Sequence, residues 1–116
     1  MKANIGEAKV REKVIVRRRR GDEDIEGAIA FYLSEAGPVI AADFIDRFEE
    51  ALTKISRNPA AGSPRYGHGL HITGLRHWPI RKFPYLIFYL EKDTHIELAR
   101  VLHGSLDIPS WLNDVD

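Results

Sequence analysis

Cationic side chains and a histidine recur in the second half of the chain, and their types suit phosphate chemistry. Guanidinium and ammonium groups stabilise negative charge that builds on phosphorus, and a histidine can move protons near neutral pH. Arginines also brace sheets by bonding carboxylates or carbonyls, and a histidine can be purely structural. From the pattern alone, the bracing role is favoured. The residues concerned are Arg76, Arg81, Lys82, Arg100 and His103.

A second basic group is an uninterrupted run of four arginines near the N-terminus. Such a run could bind phosphates, form the solvated end of a strand, or pair with an acidic segment of a partner protein. The sequence leaves these three roles open. The run consists of Arg17, Arg18, Arg19 and Arg20.

Histidines and glycines cluster between residues 62 and 77 without forming a recognisable site. His68 and His71 lie three residues apart among glycines, with no carboxylate nearby and no cysteine in the whole chain. The glycines lack the spacing of a phosphate-binding loop, and Ser63 has no readable base partner. We therefore expect no metal, no nucleotide and no other cofactor.

Hydrophobic patterning predicts the elements that position these side chains, beginning with a strand and a helix. The β-branched residues between Lys13 and Arg18 predict a first strand. Gly21 and the three acidic residues after it indicate the start of a helix, because acidic groups favour the positive end of the helix dipole. The apolar stripe of this helix is predicted to be Ile25, Ala28, Ile29, Tyr32, Leu33 and Ala36.

A second helix follows almost at once. Gly37 suits the end of the first helix and Pro38 the first turn of the second, which is predicted to end near Asn58. Residues 59–69 are predicted to be loop from their composition. The predicted apolar stripe of the second helix is Ile40, Phe44, Phe48, Ala51, Leu52 and Ile55.

The remaining sequence predicts three strands and a short closing turn or helix at 107–112. Residues 75–80 form a strand that Pro79 places at an edge or bulge, and the apolar run 86–90 forms a strand covered on both faces. In the alternating strand 96–102, one face is predicted to hold Ile96, Leu98, Arg100 and Leu102.

The resulting order is β-α-α-β-β-β. Short connections make the last three strands an antiparallel meander, and the helical hairpin must cover one sheet face to bury its stripes. We therefore predict an α+β fold with a helical hairpin packed on a small antiparallel sheet. Residues 13–116 are expected to form one domain, preceded by an N-terminal arm at 1–12.

Composition agrees with an ordinary globular protein. The chain has 116 residues, 44% hydrophobic and 29% charged residues, and a formal net charge of zero. Zero net charge argues against a strong overall attraction to nucleic acid. No apolar run approaches the length that a membrane span needs. We expect a cytoplasmic protein that does not associate with membranes.

Short strings in a particular order resemble a known family across about residues 13–112. The chain resembles the ParE toxins of bacterial toxin–antitoxin modules, within the RelE/ParE superfamily. The resemblance rests on Asp24-Ile25, Ala28 with Tyr32, Phe44 to Ile55, Asn58-Pro59, Gly62, Leu75-Arg76, Phe83-Pro84-Tyr85, Ile87-Phe88-Tyr89, and Arg100 to Ser105 with Asp107.

The resemblance implies a toxin held inactive by an antitoxin encoded beside it. It implies a ribbon-helix-helix antitoxin, a hetero-oligomeric complex, and contact with operator DNA only through that antitoxin. ParE-type toxins typically inhibit DNA gyrase and block replication, whereas RelE-type toxins are ribosome-dependent mRNA endonucleases. A toxin fold that retains only antitoxin binding is a third alternative.

The sequence favours the gyrase branch, which would not be an enzyme. Gly104 follows His103 where a nuclease often has a tyrosine nearby, and no tyrosine occurs after Tyr89. The second helix has one lysine, Lys54, where RelE types often have a pair. If the chain were a nuclease, its catalytic residues would be Arg76, Arg100 and His103; otherwise the cationic residues are candidates for binding the target.

Two apolar residues fall off the predicted buried stripes and are candidates for binding the antitoxin. Phe31 in the first helix and Ile45 in the second could line a groove for an amphipathic antitoxin helix. The Arg17–Arg20 run could then meet acidic antitoxin residues. The alternatives are that Phe31 packs on the N-terminal arm, or that the antitoxin binds along the sheet edge near Trp78 and Arg81.

Overall fold

The computed structural model describes residues 12–113. Glu12 is therefore the only described residue of the predicted N-terminal arm. The strands are β1 (Val14–Arg17), β2 (Leu75–Pro79), β3 (Tyr85–Glu91) and β4 (His95–His103), and the helices are α1 (Arg19–Ala36), α2 (Pro38–Arg57), α3 (Arg65–Leu70) and α4 (Ile108–Trp111), with a 3₁₀ turn at Pro59–Ala61.

The sheet has the strand order β1-β4-β3-β2. β2, β3 and β4 form the predicted antiparallel meander, with β3 inside the sheet. β1 pairs in parallel with β4, so the complete sheet is mixed. The predicted α+β fold and its element order are confirmed, with α3 as an additional helix.

Two hydrophobic layers enclose the sheet. The helical hairpin of α1 and α2 covers one face around Phe44, Phe48 and Tyr89. The other face carries a second cluster around Phe88, which α3 and α4 cover with Tyr66, Ile108 and other apolar residues. This second layer explains why β3 is buried on both faces, as its continuous apolar run predicts.

The start of α1 differs from the prediction. Arg19 and Arg20 belong to its first turn and not to the end of β1. The Arg18 N–H donates to the Leu98 carbonyl, and the Asp22 N–H donates to the Arg18 carbonyl, so the helix begins directly after the strand. Gly21 lies inside the helix, where it packs closely against β4. A side chain would not fit there, because a Cβ would come within 2.9 Å of the Leu98 carbonyl oxygen.

The predicted loop at 59–69 is wrong, because it contains the 3₁₀ turn and α3. Gly67 lets α3 lie directly on the chain near β2, since a Cβ at this position would come within 2.6 Å of the Leu75 carbonyl oxygen. The glycine therefore marks a close contact here and not a flexible segment.

The predicted stripes of the hairpin are wrong near its turn. No residue from 29 to 40 is buried, and the side chains of Leu33 (52% exposed) and Ile40 (40% exposed) face solvent. The buried positions of α1 end at Ala28 and those of α2 begin at Ala41, because the hairpin tip extends beyond the core.

The predicted faces of β4 are also wrong beyond Leu98. Phe88 pairs with Arg100 and the next residue, Tyr89, pairs with Leu98, so Ala99 is an extra residue in a β-bulge. The bulge reverses the alternation. As a result Val101 joins Leu98 under the hairpin, while Ala99 and Leu102 face the other layer.

Candidate functional site

Arg100 is buried at the edge of β4, where it joins three elements. Its side chain is 8% exposed, and its Nε and Nη2 donate to the two carboxylate oxygens of Asp24 at 2.8 and 3.0 Å. Its Nη1 donates to the carbonyl oxygen of Trp111 at 3.1 Å. The guanidinium therefore connects β4 to α1 and to the C-terminal turn, which is the bracing role that the sequence pattern favoured.

Asp24 takes this position because β1 is shorter than β4. β1 ends opposite Leu98, which leaves the next backbone groups of β4 without a strand partner. Asp24 lies one turn into α1, and its Oδ2 accepts the N–H of Val101 at 2.9 Å. The carboxylate thus satisfies both the exposed edge of β4 and the charge of Arg100.

His103 ends β4 at the opposite end of the meander from Arg76. The backbone N–H of Ser105 donates to His103 Nδ1 at 3.0 Å, so in the neutral ring Nε2 carries the proton. The ring lies edge-on to Tyr85, with centroids 5.1 Å apart. Burial raises the pKa of Tyr85, with a further contribution from Tyr32, and burial also raises the pKa of Tyr32. Both phenol groups therefore stay neutral at physiological pH.

The β2–β3 turn places Arg81 and Lys82 at the same end of the sheet as His103. Arg81 Nη2 donates to Glu50 of α2 at 3.2 Å, and this bond lowers the pKa of the Glu50 carboxyl. Lys82 is exposed and has a φ of 75°, a left-handed conformation that suits a tight turn.

Arg76 lies on β2, near the 3₁₀ turn. Its Nη1 donates to the Gly62 carbonyl oxygen at 2.8 Å. Tyr89, its partner on β3, donates its hydroxyl to the Pro59 carbonyl at 2.6 Å, and burial is the main cause that raises its pKa to about 12. The five cationic candidates therefore do not converge on one site: Arg76 and Arg100 lie apart, and only His103, Arg81 and Lys82 share one end of the sheet.

The arginine run near the N-terminus is largely compensated within the chain. Arg17 lies 3.2 Å from Asp22 and over the ring of Phe48, and Arg19 lies 3.2 Å from Glu23. Arg20 also makes an interaction within the described chain.

Arg18 forms an ion pair with Glu97 at 2.6 Å. The pKa of Glu97 is lowered, first by the Arg18 hydrogen bond and then by that of His95. Because these charges are matched by the chain's own carboxylates, the run does not present a bare basic surface.

The apolar candidates occupy different sides of the hairpin. Phe31 is 55% exposed and lies seven residues after Asp24, on the side of α1 that faces the β4 edge. Ile45 is half-buried and lies seven residues before Leu52, on the side of α2 that approaches β1. Trp78 is half-buried and packs against the hairpin core.

Sequence reasoning missed the most exposed apolar residue of the hairpin, Val39, which is 79% exposed, together with Leu33 and Ile40. Their closeness to Gly37 could have identified them, since residues on either side of a hairpin turn lie at its tip. Between residues 12 and 113, no three His, Asp or Glu side chains are arranged to hold a metal ion. No helix in that range is long and apolar enough to span a membrane.

Comparison with known proteins gives one family and a related fold. A family model described as "ParE toxin of type II toxin-antitoxin system, parDE" matches residues 15–108. Among solved structures, the chain is similar to one titled "Chromosomal ParDE TA system from P. aeruginosa", with a TM-score of 0.67 and 17% identity, covering 79% of this chain and 96% of that one. At this identity the likeness concerns the fold alone. No curated protein matches the chain.

Proposed function

Because the chain belongs to the ParE toxin family of type II toxin–antitoxin systems, we propose that it acts as a toxin that inhibits DNA gyrase and blocks replication. In this proposal the protein is not an enzyme, needs no cofactor, and acts in the cytoplasm. A cognate antitoxin of the ribbon-helix-helix type neutralises it in a hetero-oligomeric complex, and operator DNA is bound through that antitoxin.

The burial of Arg100 is the observation that favours gyrase inhibition over mRNA cleavage. A nuclease built on Arg76, Arg100 and His103 would need these side chains around one phosphate. Arg100 instead donates hydrogen bonds to the Asp24 carboxylate and to the Trp111 carbonyl. Arg76 lies on another strand and bonds a backbone carbonyl. A target-binding role is then left to the exposed end of the sheet, with Arg81, Lys82 and His103.

A supercoiling assay tests this activity directly. We expect the purified protein to inhibit supercoiling by gyrase, and its expression without antitoxin to stop replication while translation continues at first. Ribosome-dependent cleavage of mRNA that is lost in His103→Ala would support the nuclease alternative. A protein that binds its antitoxin but affects neither gyrase nor mRNA would be an antitoxin-binding module without toxicity.

The antitoxin is proposed to bind the hairpin, where apolar side chains remain uncovered. Phe31, Leu33 and Val39 are each more than half exposed. Single exposed apolar residues are common on protein surfaces, whereas a group of them near one hairpin turn is less common. An amphipathic antitoxin segment could place its apolar face here. Ile45 and Trp78 contribute less in this arrangement, because both are already half-buried.

Affinity measurements with the antitoxin from the adjacent reading frame test the site. Phe31→Ala should weaken binding by about 1–3 kcal/mol if this ring is an anchor, and Ile45→Ala should weaken it less. Val14→Ala is the control, because Val14 is an apolar residue on β1 that is also more than half exposed. Unchanged affinity in both hairpin variants would move the antitoxin site to the sheet edge near Trp78 and Arg81.

A further inference from the structure

The segment from Ala51 to Leu90 contains six basic residues and no acidic residue. Three of the six find carboxylates elsewhere: Lys54 and Arg81 approach Glu50, and Arg57 pairs with Glu12. The other three have no carboxylate partner within residues 12–113. They are Arg65, Arg76 and Lys82.

Arg65 and Arg76 lie on either side of the α3–β2 connection. Arg65 stacks on Tyr66, with its guanidinium carbon 4.7 Å from the ring centroid, and donates to the Tyr66 hydroxyl. The positive charge of Arg65 also acts on His77, whose pKa is lowered mainly by burial and further by this charge. Arg76 uses one N–H on the Gly62 carbonyl, and a guanidinium has five.

A cleft of about 380 Å³ opens between α3 and β2. The polar residues that line it are His68, His71, Thr73 and Arg76, and its other lining residues include Pro64, Gly67 and Gly74. No carboxylate lines the cleft among the residues that the structure describes. The cleft therefore offers hydrogen-bond donors in a region of positive charge.

A second cleft, of about 310 Å³, continues the first. The two share His71, Ile72 and Thr73, and the second adds Arg18 and Lys92. Arg18 is held by Glu97, and Lys92 also interacts electrostatically with Glu97, although no ion pair of its ammonium is found within the described part of the chain. Together the two clefts form a track with Arg76 at one end, Lys92 and the Glu97-paired Arg18 at the other, and His71 and Thr73 in the middle.

We propose that this track binds the phosphodiester backbone of nucleic acid. A phosphodiester offers acceptor oxygens at every repeat and no donor, which matches guanidinium, ammonium, hydroxyl and imidazole N–H groups. An acidic peptide would also present a backbone N–H at every residue, and the side chains of the track offer few acceptors for it. Contacts to phosphate carry no sequence information, so operator choice is left to the antitoxin. The inference does not depend on gyrase being the target.

Fluorescence anisotropy with a labelled single-stranded DNA and with its duplex tests the track. We expect the logarithm of the binding constant to fall linearly with the logarithm of the salt concentration. The probe that binds more tightly identifies whether single-stranded or duplex DNA fits the track. Lys92→Gln and Arg76→Gln should each weaken binding to any sequence and reduce the salt slope by about one. Thermal unfolding checks that Arg76→Gln remains folded, and Lys92→Gln tests the track without touching a hydrogen bond of the fold.

Lys54→Gln is the matched control, because it removes one exposed positive charge from α2, away from the track. Its salt slope should equal that of the unmodified protein. The proposal is overturned if neither DNA binds in a salt-dependent manner, if Lys54→Gln weakens binding as much as Lys92→Gln, or if polyglutamate competes as well as DNA. Gyrase inhibition is measured separately, so its failure would leave this result unaffected.

Discussion

The arginines on the two sides of the sheet have different hydrogen-bond partners. On the side where α1 meets β4, Arg100 and Arg18 each bond a carboxylate of the same chain. On the side where α3 meets β2, Arg76 and Arg65 bond only neutral oxygens. The residue type is the same, and the chain segment that packs alongside makes the difference.

This contrast separates two uses of a positive charge. A buried ion pair is satisfied by the fold, and removing one partner leaves the other charge unpaired at high cost. An arginine that bonds a carbonyl keeps its charge and most of its donors for a partner. The Asp24–Arg100 contact should therefore matter mainly for stability, and the α3–β2 side mainly for binding.

The largest stability effect is expected on the α1–β4 side. Asp24→Asn keeps the size of the side chain but removes the carboxylate charge that the buried Arg100 bonds through Nε and Nη2, so it should lower the free energy of unfolding by about 3–5 kcal/mol. Urea unfolding would measure this loss. Glu23→Gln, which breaks the exposed pair with Arg19, is the control and should cost less than about 1 kcal/mol. Equal losses in the two variants would remove the contrast.

Tyr89 gives the next largest effect, at high pH. Its pKa of about 12 in the folded protein lies above the ordinary value of 10.0, so the unfolded chain ionises first. The stabilising contribution is complete below pH 10 and is lost as the pH rises to 12, by roughly 2–3 kcal/mol. Unfolding measured between pH 9 and 12 should show a steeper decline in the unmodified protein than in Tyr89→Phe. Parallel curves would contradict the assignment.

Arg76→Gln should change stability far less than Asp24→Asn. The variant removes one hydrogen bond to the Gly62 carbonyl and no ion pair, which corresponds to a loss of about 1 kcal/mol. The same unfolding experiment checks it. A loss as large as that of Asp24→Asn would mean that Arg76 is as much a part of the fold as Arg100.

The smallest effect concerns Glu97 at low pH. Its lowered pKa means that the Arg18 pair stabilises the fold above the ordinary value of 4.5, and that this contribution is lost as the pH falls through the folded pKa. Glu97→Gln should therefore be less stable than the unmodified protein by less than about 1 kcal/mol near pH 6. The gap should close as the pH falls below 4.5 and through the lowered pKa of Glu97 in the folded protein. A gap that stays constant in acid would assign the effect to packing.

Hydrophobic periodicity predicted most of the fold, including the order of strands and helices. It failed where a residue acts through its backbone. Gly67 and Gly21 allow close packing of helices on β-strands, yet in composition a glycine reads as a loop or a helix start. The extra residue Ala99 reverses the faces of β4, and nothing in its side chain marks a bulge.

The candidate site was less predictable, because charge partners are brought together by the fold. Arg100 and Asp24 are 76 residues apart, and no local pattern connects them. Arg76 and Arg100 look alike in sequence, but one bonds a carbonyl and the other a carboxylate. The exposure of Leu33 and Val39 likewise depends on how far the hairpin extends past the core, which helical spacing does not reveal.

The parallel pairing of β1 with β4 also has a consequence for how the protein is made. Val14 is among the first residues of the described chain to be synthesised, yet its partner His95 follows only after both hairpin helices and two further strands. Synthesis proceeds at roughly 5–20 residues per second, and contacts this distant in sequence form late in folding. A nascent chain interrupted before β4 would lack the partners of both β1 and Asp24. We therefore expect the native fold to be acquired only near the end of translation.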